Sequence, residues 1–177
     1  MKPLASLLIA MALPLVAQES SIGARVHGMV PMSDLRDLTN GQIGLGLAGF
    51  VSIPVSQGFV FRPLVGFQYI PKGDSTFQLT GTKTSVSSVD LMVDALWYPD
   101  DDPDKGAYLV GSMGGQQWRV SSTGSAPSTI SATRLGLGGG LGYQFTPRFS
   151  IEARGFWSPI NKTLTATGLT LGATLRF

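Results

Sequence analysis

The chain is poor in the residues that disulfide-rich proteins and most enzyme sites depend on. None of its 177 residues is cysteine, one is histidine, and charged residues make up 14%. Without cysteine there is no disulfide framework, thiolate metal site or lipid-anchored cysteine. Outside the N-terminus no run of about 18 apolar residues occurs, which argues against a helical membrane protein. A formal charge of +2 gives no basis for nucleic-acid binding.

The first 17 residues have the pattern of a secretory signal peptide. Lys2 precedes an apolar run over residues 4–16, and Ala17 places a small residue before the polar Gln18. Pro14 argues against a buried helix, because it would break one near its end. We predict a cleavable signal peptide at residues 1–17 and a single domain at residues 18–177, since a domain usually takes about 100 to 200 residues.

The end of the chain alternates strictly between apolar and polar residues. The apolar face holds Leu169, Leu171, Ala173, Leu175 and Phe177, and the other face holds Gly168, Thr170, Gly172, Thr174 and Arg176. A period of two indicates a strand with one apolar and one polar side. A soluble edge strand would show the same period, but the terminal phenylalanine favours an aromatic anchor at a membrane interface.

Similar alternation divides the chain from residue 21 onward into eight segments, each close to the length that a tilted strand needs to cross a bilayer. They cover residues 22–30, 43–53, 59–69, 87–98, 107–119, 134–145, 149–158 and 168–177. The fifth is the least regular, because Gln116 shares a face with Tyr108 and Val110. The pattern predicts an all-β fold, an eight-stranded antiparallel up-and-down transmembrane β-barrel that acts as a monomer.

The connections and the aromatic residues support the same arrangement. Short turns at residues 55–58, 100–106 and 146–148 alternate with longer polar connections at residues 31–42, 72–84 and 121–133. Short periplasmic turns opposite longer outer loops are typical of outer-membrane barrels. Aromatic residues near segment ends are predicted to form interfacial girdles: Trp97, Tyr98, Tyr108, Trp118, Tyr143, Phe145, Trp157 and Phe177.

The ending Thr170, Gly172, Leu175 and Phe177 resembles the C-terminal assembly signal of bacterial outer-membrane β-barrels, with Leu175 where an aromatic residue is usual. The hairpins at residues 93–109 and 136–150 also look like those of small OmpA-like and OmpX-like barrels. This resemblance implies a place in the outer membrane, contact with its lipid, and insertion by the β-barrel assembly machinery. The peptidoglycan-binding module of longer family members is not expected after Phe177.

Inward-facing polar residues are predicted to form a network that fills the lumen, because eight strands enclose little more than side-chain volume and buried charges need partners. The candidates are Arg25, His27, Arg62, Asp90, Asp94, Arg134, Glu152, Arg154 and Arg176. The alternative is a narrow conduit, for which the excess of arginine would favour anions.

Three motifs are weaker signals of a site. Asp100, Asp102 and Asp104 have the spacing of a calcium loop, but Lys105 replaces its glycine, which favours a solvated turn. The glycines at residues 136–142 do not match a dinucleotide fingerprint. His27 with Asp74 and Ser75 resembles part of a lipid A palmitoyltransferase site, without the leading amphipathic helix of those enzymes. We expect no catalytic, cofactor or metal site, and a structural or surface-interaction role whose loop partner the sequence does not name.

Overall fold

The computed structural model describes residues 20–74, 83–124 and 127–177. The strands in this part are β1 (Ser21–Met32), β2 (Gly44–Ser56), β3 (Phe59–Asp74), β4 (Lys83–Trp97), β5 (Gly106–Thr123), β6 (Ser128–Thr146), β7 (Phe149–Pro159) and β8 (Thr165–Arg176). A seven-residue helix, α1 (Ser33–Thr39), joins β1 to β2. No helix among the described residues is long and apolar enough to span a membrane. The predicted signal peptide lies outside them and stays a prediction.

The strands close into one antiparallel barrel in sequence order, which confirms the predicted fold class. Closure comes from β1, which pairs with β2 on one side and with β8 on the other. At the seam the Phe177 amide donates to the Ile22 carbonyl at 2.8 Å. We call the end at which β1 begins and β8 ends, with the connections β2–β3, β4–β5 and β6–β7, the terminal end, and the opposite end the loop end.

Side chains alternate between the outer wall and the lumen as the sequence pattern predicts. On β2, Leu45 and Leu47 are 70% and 61% exposed on the outer wall, while Ala48 and Phe50 are 3% and 5% exposed inside. The irregular fifth segment follows the same rule, since Tyr108, Val110 and Gln116 all face the lumen and are buried. The outer wall is therefore apolar, as a lipid-facing barrel wall must be.

The aromatic residues split into two groups that the sequence prediction did not separate. On the outer face lie Trp97, Tyr143, Phe145, Trp157 and Phe177. The girdle prediction is wrong for Tyr98, Tyr108 and Trp118, which are at most 2% exposed. Trp118 and Tyr108 use their polar atoms inside the barrel. The Trp118 indole N–H donates to Ser158 Oγ at 3.0 Å, as buried tryptophan usually requires, and the Tyr108 hydroxyl donates to Glu152 Oε1.

The first long connection contains the helix α1, where the sequence analysis predicted only a loop. Leu35 and Leu38 lie three residues apart on one helical face and are both buried. Asn40, with a left-handed backbone, ends the helix. Gly73 lets β3 approach closely, because a Cβ there would lie 1.8 Å from the Thr39 carbonyl oxygen.

Apolar layers close both ends of the lumen. At the loop end, Leu35 of α1 packs into a buried cluster with Met29, Ile70, Val86, Trp118, Val120, Ile160 and Ala166. At the terminal end the buried cluster consists of Val60, Leu96, Tyr98, Tyr108 and Val110. The buried charged residues of the lumen, such as Arg62, Asp90 and Asp94, lie between these two layers.

The inward glycines of β6 make room for large side chains of the neighbouring strand. A Cβ at Gly136 would lie 2.2 Å from Gln116 Oε1, and one at Gly142 would lie 2.3 Å from the Tyr108 ring. The side chains that occupy this space come from the adjacent strand β5.

Candidate functional site

A charged cluster forms the middle of the lumen. Arg62 of β3 and Asp94 of β4 are direct cross-strand partners, and the Arg62 Nη2 and Nε donate to Asp94 Oδ2 at 2.9 and 3.1 Å. Arg154 Nη1 reaches the same Asp94 oxygen at 2.9 Å. The second carboxylate oxygen, Oδ1, accepts from Ser112 Oγ at 2.7 Å. Asp94 is therefore fully buried but paired on both oxygens.

Glu152 connects this cluster to the opposite wall. Its Oε1 accepts from Arg62 Nη2 and from the Tyr108 hydroxyl, both at 2.7 Å. Its Oε2 accepts from Arg154 Nη2 and lies 3.5 Å from Arg25 Nη1. Arg62 also stacks on the Phe50 ring, with Cζ 4.9 Å from the ring centroid. Ion pairs so far from solvent depend on this full set of hydrogen bonds.

A second polar cluster, around Asp90, lies nearer the loop end. Asp90 Oδ2 accepts from Gln68 Nε2 at 2.6 Å. Its Oδ1 accepts from Ser88 Oγ at 2.8 Å and from Gln116 Nε2 at 3.1 Å. All three donors belong to uncharged side chains, so this carboxylate is held by neutral groups.

Two predicted lumen residues lie elsewhere. Arg134 faces inward by parity, but it precedes Leu137, where the pairing of β6 with β7 begins, and its side chain is exposed. Arg176 lies at the terminal end and donates from Nη2 to the Pro103 carbonyl at 2.7 Å. The prediction is wrong for both. The other seven candidates face the lumen: Arg25, His27, Arg62, Asp90, Asp94, Glu152 and Arg154.

The sequence analysis missed several partners in these clusters. Gln116 and Tyr108 belong to the strand whose register was hardest to assign, and Ser112 lies between them. Gln68 of β3 also lies buried in the lumen and was not among the predicted residues. Their inward parity was the available signal, because the lumen face of a filled barrel needs hydrogen-bonding groups wherever charges are buried.

The rival enzyme site has little support in the described residues. His27 is 5% exposed inside the lumen, and its ring lies where a Cβ at Gly46 would be 2.4 Å away. Ser75, its proposed partner in a loop, lies outside the described residues. A catalytic histidine must reach substrate, and this one is enclosed by the barrel wall.

Exposed charges differ between the two ends of the barrel. In the described part of the chain, the loop end carries six exposed basic side chains: Arg36, Lys72, Lys83, Arg119, Arg134 and Lys162. We call this set the basic rim. At the terminal end, Asp100, Asp101, Asp102 and Asp104 are exposed, and the Asp104 amide donates to Asp102 Oδ1 at 2.9 Å in a solvated turn. Beneath this turn, burial raises the pKa of the Tyr98 hydroxyl.

Comparison with known proteins identifies the fold. No protein-family model and no curated protein sequence matches the chain. Ail of Yersinia pestis, solved in complex with the heparin analogue sucrose octasulfate, is similar with a TM-score of 0.61 and 15% identity, covering 89% of this chain and 97% of that one. The N-terminal β-barrel domain of Pseudomonas aeruginosa OprF gives 0.59 and 14%, with the same coverage. Neisserial surface protein A gives 0.58 and 17%, again covering 89% and 97%.

These sequence identities are too low to assign a function to the chain. The match nevertheless covers nearly the whole of each similar structure. The resemblance seen in the sequence is therefore confirmed at the level of the fold. The chain has the architecture of the small eight-stranded outer-membrane β-barrels represented by Ail, the OprF domain and neisserial surface protein A.

Proposed function

We propose that this chain is a non-enzymatic outer-membrane barrel whose loop end binds polyanionic glycans, sulfated or phosphorylated, at the cell surface. The basic rim is the observation that carries the proposal. Its six exposed cations surround the end of the barrel that the long connections form. An array of exposed basic side chains attracts polyanions through summed, salt-dependent electrostatics.

The similar protein Ail adds a second line of support. Its structure was solved with sucrose octasulfate, a compact polyanion that serves as a heparin analogue. A sulfated ligand is therefore a suitable first probe for the basic rim.

The interior supports a structural wall rather than a conduit. Among the described residues, the charged layer lies between apolar layers at both ends, and Trp118, Tyr98 and Tyr108 fill the cross-section. An ion would have to leave water and displace packed side chains to pass. The anion conduit is therefore the less favoured alternative, and a lipid A-modifying site is disfavoured by the enclosed His27.

Membrane insertion is part of the same proposal. The apolar outer wall would contact outer-membrane lipid, and the closing strand with Thr170, Gly172, Leu175 and Phe177 would be read by the assembly machinery. Because β8 pairs with β1, the strand with the predicted signal also closes the barrel within one chain.

Leu137→Arg on the outer wall should cost about 2 to 4 kcal/mol of folding free energy, whereas inward Gly138→Ser should cost much less.

The glycan proposal is tested by calorimetric titration of the folded barrel in detergent with sucrose octasulfate. Replacing Arg119, Arg134 and Lys162 together with serine should weaken binding roughly a hundredfold, since each basic residue near an anionic surface contributes about 1 kcal/mol. The matched control replaces Lys105 and Arg148, two exposed cations at the terminal end, and should bind like the unchanged protein. An equal loss of affinity in both variants, or an affinity that does not fall as salt is added, would contradict the proposal.

A further inference from the structure

The strand β6 has an open edge at the loop end. Its pairing with β5 extends as far as Ser128, whereas its pairing with β7 begins only at Leu137. The strand β7 ends at Pro159, and the chain then turns through residues 160–164 into β8. Among the described residues, no backbone group pairs with the β7 side of residues 128–134. In this stretch β6 is therefore an unpaired sheet edge.

One side-chain contact shows which backbone groups point to the open edge. Ser158 Oγ of β7 donates to the Leu135 carbonyl at 3.2 Å, so Leu135 turns its carbonyl towards the β7 side. In an antiparallel strand the N–H and C=O of one residue point to the same side, and every second residue repeats this direction. Thr129, Ser131 and Thr133 therefore direct both groups to the open edge, and the residues between them direct theirs to β5.

The open edge lies beyond the apolar part of the outer wall. The outward side chains along it are those of Thr129, Ser131 and Thr133, which are all exposed, and the apolar outward residues of β6 below them begin at Leu135. A row of exposed N–H and C=O groups is a template for pairing with another chain. The polar side chains place this template where a water-soluble partner can reach it.

Arg134 covers part of the edge. Its Nη1 donates to the Thr133 carbonyl at 3.2 Å, and a charged side chain on an edge strand hinders indiscriminate pairing. Two other exposed cations are nearby, since Arg119 lies opposite Ser131 on β5 and Lys162 lies in the turn that follows β7. β6 has no acidic residue. The charges therefore favour a partner that carries carboxylates.

We propose that this edge binds an extended acidic segment of another protein, which pairs with β6 as an added antiparallel strand. Main-chain hydrogen bonds to the three edge residues provide the affinity. A carboxylate of the segment draws Arg134 away from the Thr133 carbonyl and provides the selectivity. Every second side chain of the segment lies beside Ile130, which is 45% exposed on the inner side of the edge, so apolar residues are preferred there.

A second copy of this chain fits the edge less well. Copies inserted in one membrane share their orientation, so their β6 strands run in the same direction and pair only as parallel strands, which are slightly less stable. Each copy would also bring Arg119 and Arg134 towards the same residues of the other, and like charges across a strand pair are destabilising. A free segment has neither restriction.

The probe is a short, fluorescently labelled peptide of alternating valine and threonine that carries one glutamate on each face. Fluorescence anisotropy measures its binding to the folded barrel in detergent. The matched control peptide has the same side chains but methylated nitrogens at the three positions that donate to β6. It should bind roughly a hundredfold more weakly, since each lost donor contributes about a fivefold factor. Equal affinity of the two peptides would overturn the proposal, and equal affinity of a peptide with lysine in place of glutamate would overturn the acidic class of the partner.

Ser131→Pro removes a donor from the protein side. Because the Ser131 N–H points to the open edge, proline leaves the ladder with β5 intact and should weaken binding of the peptide roughly fivefold. Ser131→Ala keeps the N–H and is the matched control, and equal affinity of the two variants would overturn the proposal. Both variants should bind sucrose octasulfate like the unchanged protein, which separates strand addition from glycan binding. If Ser131→Pro does not fold, the methylated peptide decides.

Amide hydrogen exchange tests the pairing at each residue. When the unmodified peptide is added, the amides of Thr129, Ser131 and Thr133 should exchange about tenfold more slowly. The amides of Ile130 and Ala132 already face β5 and should not change. Sucrose octasulfate should not produce this alternation. Equal slowing at all five amides, or no slowing at any, would show that the peptide does not add as a strand.

Discussion

Asp90 and Asp94 lie four residues apart on the same strand, face the same lumen and are both at most 5% exposed, yet they are stabilised in different ways. Asp94 is held by two arginines and a serine. Asp90 is held by two glutamines and a serine. Arginine is always charged and only donates, whereas a glutamine amide can turn over and accept. The arginines of the charged cluster can therefore only donate to an acceptor such as Asp94. The glutamines of the neutral cluster can change from donor to acceptor, and in this sense the neutral cluster is adaptable.

The strongest test of this difference is Asp94→Asn. The substitution keeps the shape of the side chain but leaves Arg62 and Arg154 to share Glu152 as their remaining carboxylate. An uncompensated buried charge costs about 3 to 5 kcal/mol. The free energy of unfolding, measured by urea titration in lipid vesicles, should fall by about this amount. Asp104→Asn at the exposed terminal end is the control and should change stability by less than about 0.5 kcal/mol. Wild-type stability in Asp94→Asn would mean that water already solvates the arginines.

Double-mutant cycles locate the coupling within the charged cluster. The pairs Asp94 with Arg62 and Asp94 with Arg154 are in direct contact, and contacting residues show non-additivity of about 0.5 to 3 kcal/mol. Arg176 instead contacts the turn at the terminal end, so its cycle with Asp94 should be additive. The measurement is again the free energy of unfolding for each single and double variant. Coupling to Arg176 as strong as to Arg154 would show that the cluster extends to the barrel end.

Except for Tyr98, Tyr108 and Trp118, the sequence predicted which side of the wall the strand residues occupy, because alternation depends only on local backbone geometry. The sequence did not predict how far along the barrel axis each residue lies. Arg134 has inward parity, but β6 continues there past its last partner on β7, and the Arg134 side chain is exposed. Tyr108 and Trp118 also have inward parity, and their position near segment ends was the misleading signal. Parity would have placed both correctly.

The sequence did not predict which lumen side chains form ion pairs with each other, and the reason is different. Arg62 and Asp94 meet because the register of β3 and β4 places them opposite each other, and register depends on turn geometry. Arg62 and Glu152 lie 90 residues apart and meet across the lumen only after closure. The helix α1 was missed because seven residues with two leucines give too little periodicity, and its stability comes from packing on Met29 and Ile70.

The smallest expected effect is that of Asp90→Asn, the matched partner of Asp94→Asn. The new amide presents one donor where the carboxylate accepted from Gln68 or Gln116. In the unchanged protein the Oε1 of both glutamines lacks a hydrogen-bond partner. In the variant either glutamine can rotate its amide so that Oε1 accepts from the new amide, and one hydrogen bond replaces another. The loss of unfolding free energy should be about 1 kcal/mol, the net worth of one hydrogen bond. Replacing Gln68 and Gln116 with methionine in the Asp90→Asn background removes that option and should raise the cost. If Asp90→Asn alone destabilises the barrel as much as Asp94→Asn, the two glutamines do not compensate for the substitution, and Asp90 depends on the charge of Arg25.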